Sequence, residues 1–296
     1  MGRTIQIIGV PIDLGQTQRG VEMGPAAMRY AGLASSLTTL GHQIRDSGNI
    51  EVPIRETLAE EQQQHYLPSI RRTCEATYEI VRRAVEQEHI PLLLGGDHTL
   101  AIGSIGGSTH TTPAGLIWID AHGDFNTPRT TLTGNIHGMT LALLLGDGYP
   151  ELVDAGRPGP KLQPEDVVMI GIRDLDPEER TRLRDSGITV YTLRDIDERG
   201  IGAVTREALE RLEHRDRVHV SLDMDALDPQ AAPGVGTTSP GGLTRREAQL
   251  LMEIIADSER CCALDIVEIN PILDQHNQTA RLAVELAASL FGKRIL

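Results

Sequence analysis

The sequence predicts an α/β protein with a mostly parallel sheet covered by helices on both faces. Two observations carry this. Short apolar runs alternate along the chain with segments of helical periodicity. The runs are also continuous rather than alternating polar and apolar, which is how strands read when both sheet faces are buried. In chain order they are "TIQIIGV" (4–10), "PLLLGG" (91–96), "GLIWID" (115–120), "DVVMIGI" (166–172), "ITVYTL" (188–193), "VHVSLDMDA" (218–226) and "ALDIVEIN" (263–270).

The helices between them have their own signals. Segment 68–88 places Ile70, Cys74, Thr77, Tyr78, Val81, Ala84 and Val85 on one stripe. Pro25 after Gly24 reads as a first-turn proline. Thr244 and Glu247 have capping-box spacing before "AQLLMEIIAD". The tail "TARLAVELAASLFG" predicts a last helix that stops at Gly292. Segment 51–66 is polar and Gln-rich and predicts a surface excursion. Without repeats, low-complexity tracts or linkers, the expectation is one domain over 1–296.

Composition bounds the function. Aromatics are only 3% against 40% hydrophobic residues, so an aliphatic core is expected. A formal charge of −14 opposes a nucleic-acid partner, which needs a basic face. It suits a cationic ligand or metal ions, with the rest of the excess on solvated surface. Three cysteines (Cys74, Cys261, Cys262), two of them adjacent, give neither a disulfide framework nor a thiolate metal site. The N-terminal apolar run is too short for a signal peptide, and no stretch has the roughly 20 apolar residues of a membrane span. The expected location is the cytoplasm, with no membrane partner.

Four runs end in polar residues. They deliver Asp97 and His98; Asp120, His122 and Asp124; Asp223 and Asp225; and Glu268 and Asn270. Open α/β sheets bind ligands beyond the carboxyl ends of their strands. If these strands are parallel neighbours, four aspartates meet at one rim and repel one another unless cations neutralise them. Residues two apart on a strand share a face, so Asp120, His122 and Asp124 can share a target, as can Asp223 and Asp225. Oxygen and imidazole without sulfur favour Mn²⁺, with Zn²⁺, Fe²⁺, Co²⁺ and Ni²⁺ as alternatives. A single aspartate after a strand is usually a turn former, and Asp228 before Pro229 is read that way. Three such motifs in one chain make coincidence the poorer explanation.

"GGDHT", "DAHGDFNTP", "GNIHG", "SLDMDALDP" and "VEINP" resemble the arginase branch of the ureohydrolases. So do the N-terminal "GVPIDLGQTQRGVEMGP" and the C-terminal "NQTARLAVELAASLFGK", so the resemblance spans nearly the whole chain. It implies a three-layer α/β/α fold and two Mn²⁺ per subunit. His98, Asp120, Asp124 and Asp223 would hold one ion. His122 and Asp225 would complete the second, with Asp120 and Asp223 bridging. The implied reaction is hydrolysis of L-arginine to L-ornithine and urea by a metal-bridging hydroxide. Glu268 would pair with the guanidinium, Asp124 would hydrogen-bond the hydroxide, and His137 would shuttle the proton to the leaving amine. Contacts to the substrate carboxylate fall on Asn126, Thr131 and Thr133. The α-ammonium contact falls on Asp176, with Glu179 nearby, and Thr237 faces the guanidinium. A homotrimer or hexamer is expected on the same ground.

The chain departs from the family pattern at Leu132, at Thr133 (where serine is usual) and along "GVGTTSPGG" (234–242). These positions bear on substrate affinity and leave the metal set intact. The alternative reading is a ureohydrolase acting on agmatine or another guanidino compound, which the ammonium and carboxylate contacts disfavour. Calcineurin-like phosphoesterases share D-x-H, G-D and G-N-H elements in a different order. Histone deacetylases have a paired-histidine loop that is absent here. A non-catalytic sensor on the same fold is opposed by the complete ligand set.

Overall fold

The computed structural model describes residues 2–294, so the expected 1–296 span runs past the described residues at both ends. Among these residues eight strands form one sheet: β1 (Thr4–Val10), β2 (Gln43–Asn49), β3 (Ile90–Gly95), β4 (Gly115–Ile119), β5 (Val167–Ile172), β6 (Thr189–Thr192), β7 (Val218–Asp223) and β8 (Cys261–Val267). Their order is β2-β1-β3-β8-β7-β4-β5-β6, and every pairing in the sheet is parallel.

Each of the seven apolar runs forms a strand. β2 is the eighth, and its sequence, QIRDSGN, gives no hydrophobic signal because it is an exposed edge. Charged side chains on such an edge discourage pairing with another chain. Arg29 fastens it from the neighbouring helix. Its Nε and Nη2 each donate to an oxygen of Asp46 at 2.8 Å, a two-pronged bond that only a guanidinium makes.

Among the described residues eleven helices surround the sheet: α1 (Gly24–Tyr30), α2 (Leu33–Thr39), α3 (Leu67–Glu86), α4 (Leu100–Ser108), α5 (Thr140–Leu144), α6 (Pro150–Val153), α7 (Pro177–Asp185), α8 (Leu193–Arg199), α9 (Ile201–Arg211), α10 (Arg245–Asp257) and α11 (Gln278–Leu290). Alternate strand residues sort them into two layers. Ile5, Ile7, Ile117 and Ile119 pack with Met28, Leu37, Ile196, Val204, Leu251 and Leu286, so α1, α2 and α8 to α11 cover that face. Ile8, Val10 and Leu93 pack with Ile70, Cys74 and Leu152, while Leu116, Trp118 and Met169 pack with Ile105, Leu141 and Leu183. This places α3 to α7 on the other face.

Local signals locate the helices well. The α3 stripe is buried as expected except Val85, which is half-buried. Pro25 lies in the first turn of α1. Glu247 N donates to Thr244 Oγ1 at 3.2 Å, and Thr244 N donates to Glu247 Oε2 at 2.9 Å, completing the capping box of α10. Gly292, just past α11, has the left-handed φ of 95° that glycine tolerates at a helix end. Segment 51–66 is mostly exposed and forms two short 3-10 turns, Arg55–Thr57 and Ala59–Gln64.

The helices α3 and α4 approach unusually closely because glycines line the contact. A Cβ on Gly103 would lie 2.3 Å from the Cys74 carbonyl oxygen and 2.8 Å from Thr77 Cβ. Neither backbone can yield without separating the helices. Gly103→Ala is therefore expected to destabilise the fold by about 1–3 kcal/mol, as overpacking in a dense core does, and to lower the Tm in a thermal melt. An unchanged Tm would show that the two helices do not need this approach.

Candidate active site

The strands that carry the polar ends are β3, β8, β7 and β4, four consecutive neighbours in the middle of the sheet. Parallel pairing puts their carboxyl ends on one rim, so residues from distant parts of the chain converge there. One sequence expectation needs correcting. Asp120, His122 and Asp124 do not share a target through strand alternation, because β4 stops at Ile119 and all three lie in the loop beyond it. That loop turns through a left-handed residue, Asp124 at φ 46°, and the turn aims the carboxylate back at the rim. Likewise Asp223 ends β7, but Asp225 sits in a 3-10 turn, Met224–Ala226.

His98 lies at the centre. Its Nδ1 is 3.2 Å from Asp124 Oδ2 and 3.3 Å from both Asp120 Oδ2 and Asp223 Oδ2. Among the described residues this buried nitrogen has no hydrogen-bond partner. Beside it, His122 Nδ1 lies 3.0 Å from Asp225 Oδ2 and 3.5 Å from Asp120 Oδ1. Ligand atoms thus gather in two groups, His98–Asp120–Asp223 and Asp120–His122–Asp225, with Asp120 in both. The donor set is carboxylate and imidazole, which suits a divalent cation in each group.

Electrostatics point the same way. Burial pushes the Asp223 carboxyl well above its ordinary range, and Asp225 and Asp120 push it further. Burial also raises Asp225 to about 6, with Asp120 adding to the effect. Burial opposes charge on His98, yet the carboxylates of Asp120, Asp124 and Asp223 outweigh it and raise the imidazole far above its usual range. The cluster therefore demands positive charge where the ring nitrogen meets the three carboxylates.

Neighbouring groups hold these side chains in place. Trp118 stacks on His98 with ring centroids 3.9 Å apart and planes within 7°, and its Nε1 donates to Asp120 Oδ2 at 3.0 Å. Backbone N–H groups of His122 and Asp225 donate to Asp120 Oδ1 and Asp223 Oδ1 at 2.7 and 2.8 Å. On the far side of His98, Nε2 meets Ser221 Oγ at 2.9 Å in the buried interior. With its proton on Nε2 and donated to Ser221, the ring presents Nδ1 as a lone pair. The sequence reading overlooked Ser221, although it stands two residues before Asp223 on the same face of β7.

A cavity of about 260 Å³ opens above the cluster. Its lining includes His122, Asp124, Asp223, Asp225 and His137, together with Asn126, Thr131, Thr133, Asp176, Glu179 and Thr237. The cavity is lined by all the site residues named from sequence except the buried His98, Asp120 and Glu268, of which His98 and Asp120 belong to the cluster beneath it. Asn126 Nδ2 donates to Asp176 Oδ2 at 3.0 Å, linking two residues of the lining. Glu179 is buried, and its oxygens accept the Phe125 and Asp176 backbone N–H groups at 2.8 and 3.2 Å. Burial raises its carboxyl to about 7. It braces the loop that carries Asn126 and the turn that carries Asp176. Asn135 and Asp174 also line the cavity and were not singled out from sequence.

Glu268 lies buried behind His137, which lines the cavity. The glutamate has a left-handed φ of 64°, and its Oε1 accepts His98 N–H at 2.9 Å and His137 Nδ1–H at 3.0 Å. Burial disfavours charge on His137, but the Glu268 carboxylate more than offsets this and brings the imidazole to about 9. Asp97 takes no part in the acid–imidazole cluster. It is buried and accepts the backbone N–H of Gly15 at 2.7 Å and of Thr99 at 3.0 Å, tying the loop after β1 to the rim. Arg173 bridges other loops, donating to the carbonyls of Asp225 at 2.8 Å and Ser239 at 2.6 Å. Asp228 is the turn residue expected: its Oδ1 accepts Gln230 N–H at 2.8 Å.

Comparison with known proteins places this rim-built acid–imidazole site and its parallel α/β/α fold in one class. The family model "Arginase family" matches residues 3–292, and the chain belongs to the arginase family. It is 47% identical to the arginase of Bacillus caldovelox, covering 99% of this chain and all of that one. It is 46% identical to the arginase of Bacillus subtilis strain 168 over the full length of both. The solved native structure of Bacillus caldovelox arginase at pH 5.6 superposes with a TM-score of 0.96, at 46% identity and full coverage of each chain.

Removing the Ser221 hydroxyl should free the His98 ring to rotate and to change tautomer. Ser221→Ala is expected to weaken divalent-cation binding about 10–100-fold, the usual cost of losing such a partner, as measured by titration calorimetry and metal analysis. His98→Asn and Asp124→Asn should lower bound metal more severely. Wild-type metal affinity in all three would mean that cations bind elsewhere.

Proposed function

We propose that this chain, as a single domain, hydrolyses L-arginine to L-ornithine and urea with two Mn²⁺ ions per subunit. The observation that carries the reading is the convergence of His98 Nδ1 with three carboxylate oxygens at 3.2–3.3 Å beneath a cavity that also holds Asp176 and Asn126. His98, Asp120, Asp124 and Asp223 would hold one ion; His122 and Asp225 would hold the other with the shared Asp120 and Asp223. Such a pair of ions, when bound, supplies an acidified water near neutral pH.

The protein's own groups do the rest. The guanidinium carbon is a poor electrophile because its charge is delocalised, so placement matters most. Glu268 pairs with the guanidinium and aims it, with Thr237 at its side. Asp124 accepts a hydrogen bond from the attacking water. At the outer end Asp176 meets the α-ammonium, and Asn126, Thr131 and Thr133 hydrogen-bond the carboxylate. Glu179 acts through Asp176 and the Asn126 loop. His137 delivers the proton to the departing amine. Its basicity comes from the Glu268 carboxylate. A guanidinium paired with Glu268 shares that negative charge, so the imidazole releases its proton more readily once substrate is seated.

No described helix is long and apolar enough to cross a membrane. A cytoplasmic enzyme, assembled as a homotrimer or hexamer and without a nucleic-acid partner, is part of the proposal. The net charge of −14 favours approach of a cationic substrate.

The test is urea release by the Mn²⁺-loaded protein from L-arginine and from agmatine, which lacks the carboxylate. Turnover of arginine with little or none of agmatine is expected; the reverse would assign the chain to another guanidino substrate. Asp176→Ala is expected to raise the KM for arginine about tenfold or more, the worth of a hydrogen bond to a charged group, at unchanged metal content. An unchanged KM would remove Asp176 from substrate recognition.

A further inference from the structure

The buried Glu268 carboxylate is held by three donors, and one of them has no other task. Glu268 Oε1 takes the His98 backbone N–H and the His137 imidazole. Glu268 Oε2 takes a single side-chain donor, Gln16 Nε2, at 2.7 Å. Gln16 comes from the loop after β1, is only 4% exposed, and is absent from the cavity lining.

The loop is fastened on both sides of this side chain. Before it, Gly15 N donates to Asp97 Oδ2 at 2.7 Å, and Gly15 O accepts the His137 backbone N–H at 3.0 Å. At Gln16 itself, the backbone carbonyl accepts Arg55 Nη2 at 2.5 Å. Arg55 belongs to the otherwise exposed 51–66 excursion. The carboxylate dictates which end of the amide faces it, because only the nitrogen donates. Gln16 Oε1 is then left buried without a partner among the described residues. The covering loop makes room for the pair with a glycine: a Cβ on Gly236 would stand 3.0 Å from Gln16 Oε1 and 3.6 Å from Glu268 Oε2.

The chemistry of the donor matters. A lysine or arginine here would neutralise Glu268 and compete with the incoming cation. An amide orients the carboxylate and leaves its full charge for the ligand. We propose that Gln16 is a positioning residue for Glu268: it aims that carboxylate at the guanidinium and so sets affinity for that end of the substrate. The inference rests on reading Glu268 as the guanidinium partner.

The test compares wild type, Gln16→Ala and Gln16→Glu, all Mn²⁺-loaded, by metal content, by kcat and KM for L-arginine, and by inhibition with L-norvaline. L-Norvaline keeps the α-ammonium and carboxylate but has no guanidinium. Gln16→Ala is expected to lower kcat/KM for arginine about 10–100-fold, while metal content and the norvaline inhibition constant stay within about twofold. Gln16→Glu keeps the shape, sets a like charge against Glu268 and is expected to lose more. It also serves as the readout if the alanine variant fails to fold. Unchanged arginine kinetics in both variants, or a norvaline constant that rises in step with the loss on arginine, would overturn the proposal. Wild-type protein that releases no urea from arginine would instead overturn the arginine reading itself.

Discussion

Four buried aspartates repel one another at the centre of this molecule, and much of the structure around them answers that repulsion. Two unit charges 4 Å apart interact by about 4 kcal/mol at an effective dielectric of 20. A hydrogen bond contributes about 1 kcal/mol net. The backbone N–H groups on Asp120 and Asp223 therefore orient these carboxylates but do not neutralise them. Two imidazoles offset part of this charge, and cations, which the cluster could hold, would offset the rest. The surrounding order follows: an indole plate against His98, a hydroxyl behind it, and loops bolted by Asp97, Glu179 and Arg173.

The site divides by depth. Its floor is enclosed and held by short contacts to parallel strands, so the ligand atoms have little freedom. Its mouth is looser. Thr133 and Thr237 are exposed, and Leu132 is 76% exposed beside them. These are also the stretches where the sequence departs from the family pattern. Departures from the pattern thus fall on the exposed mouth and leave the buried acid–imidazole floor unchanged.

Much of this was legible because strong local signals agreed with the global fold. Continuous apolar runs mark strands buried on both faces, and polar residues at their ends mark the rim. What escaped reading has a physical cause in each case. β2 is an edge strand with almost nothing to bury. The convergence of Asp120, His122 and Asp124 is expected from sequence, but its route, a left-handed turn beyond the strand in place of strand alternation, is announced by no periodicity. Ser221, Gln16 and Arg173 act through partners far away in sequence; Gln16 and Glu268 are 252 positions apart. Arg55 lay inside a stretch whose composition reads only as surface.

The strand order has a consequence for how the chain matures. β8, the last strand in sequence, lies between β3 and β7 in the middle of the sheet. Until it is made, β2-β1-β3 and β7-β4-β5-β6 are two separate half-sheets, each with a bare inner edge. Exposed edges of this kind invite pairing with other chains. Because Glu268 follows β8 directly, the same strand both joins the halves and sets this carboxylate against His98 and His137. The strand that closes the gap in the sheet is thus also the one that carries Glu268 to the rim.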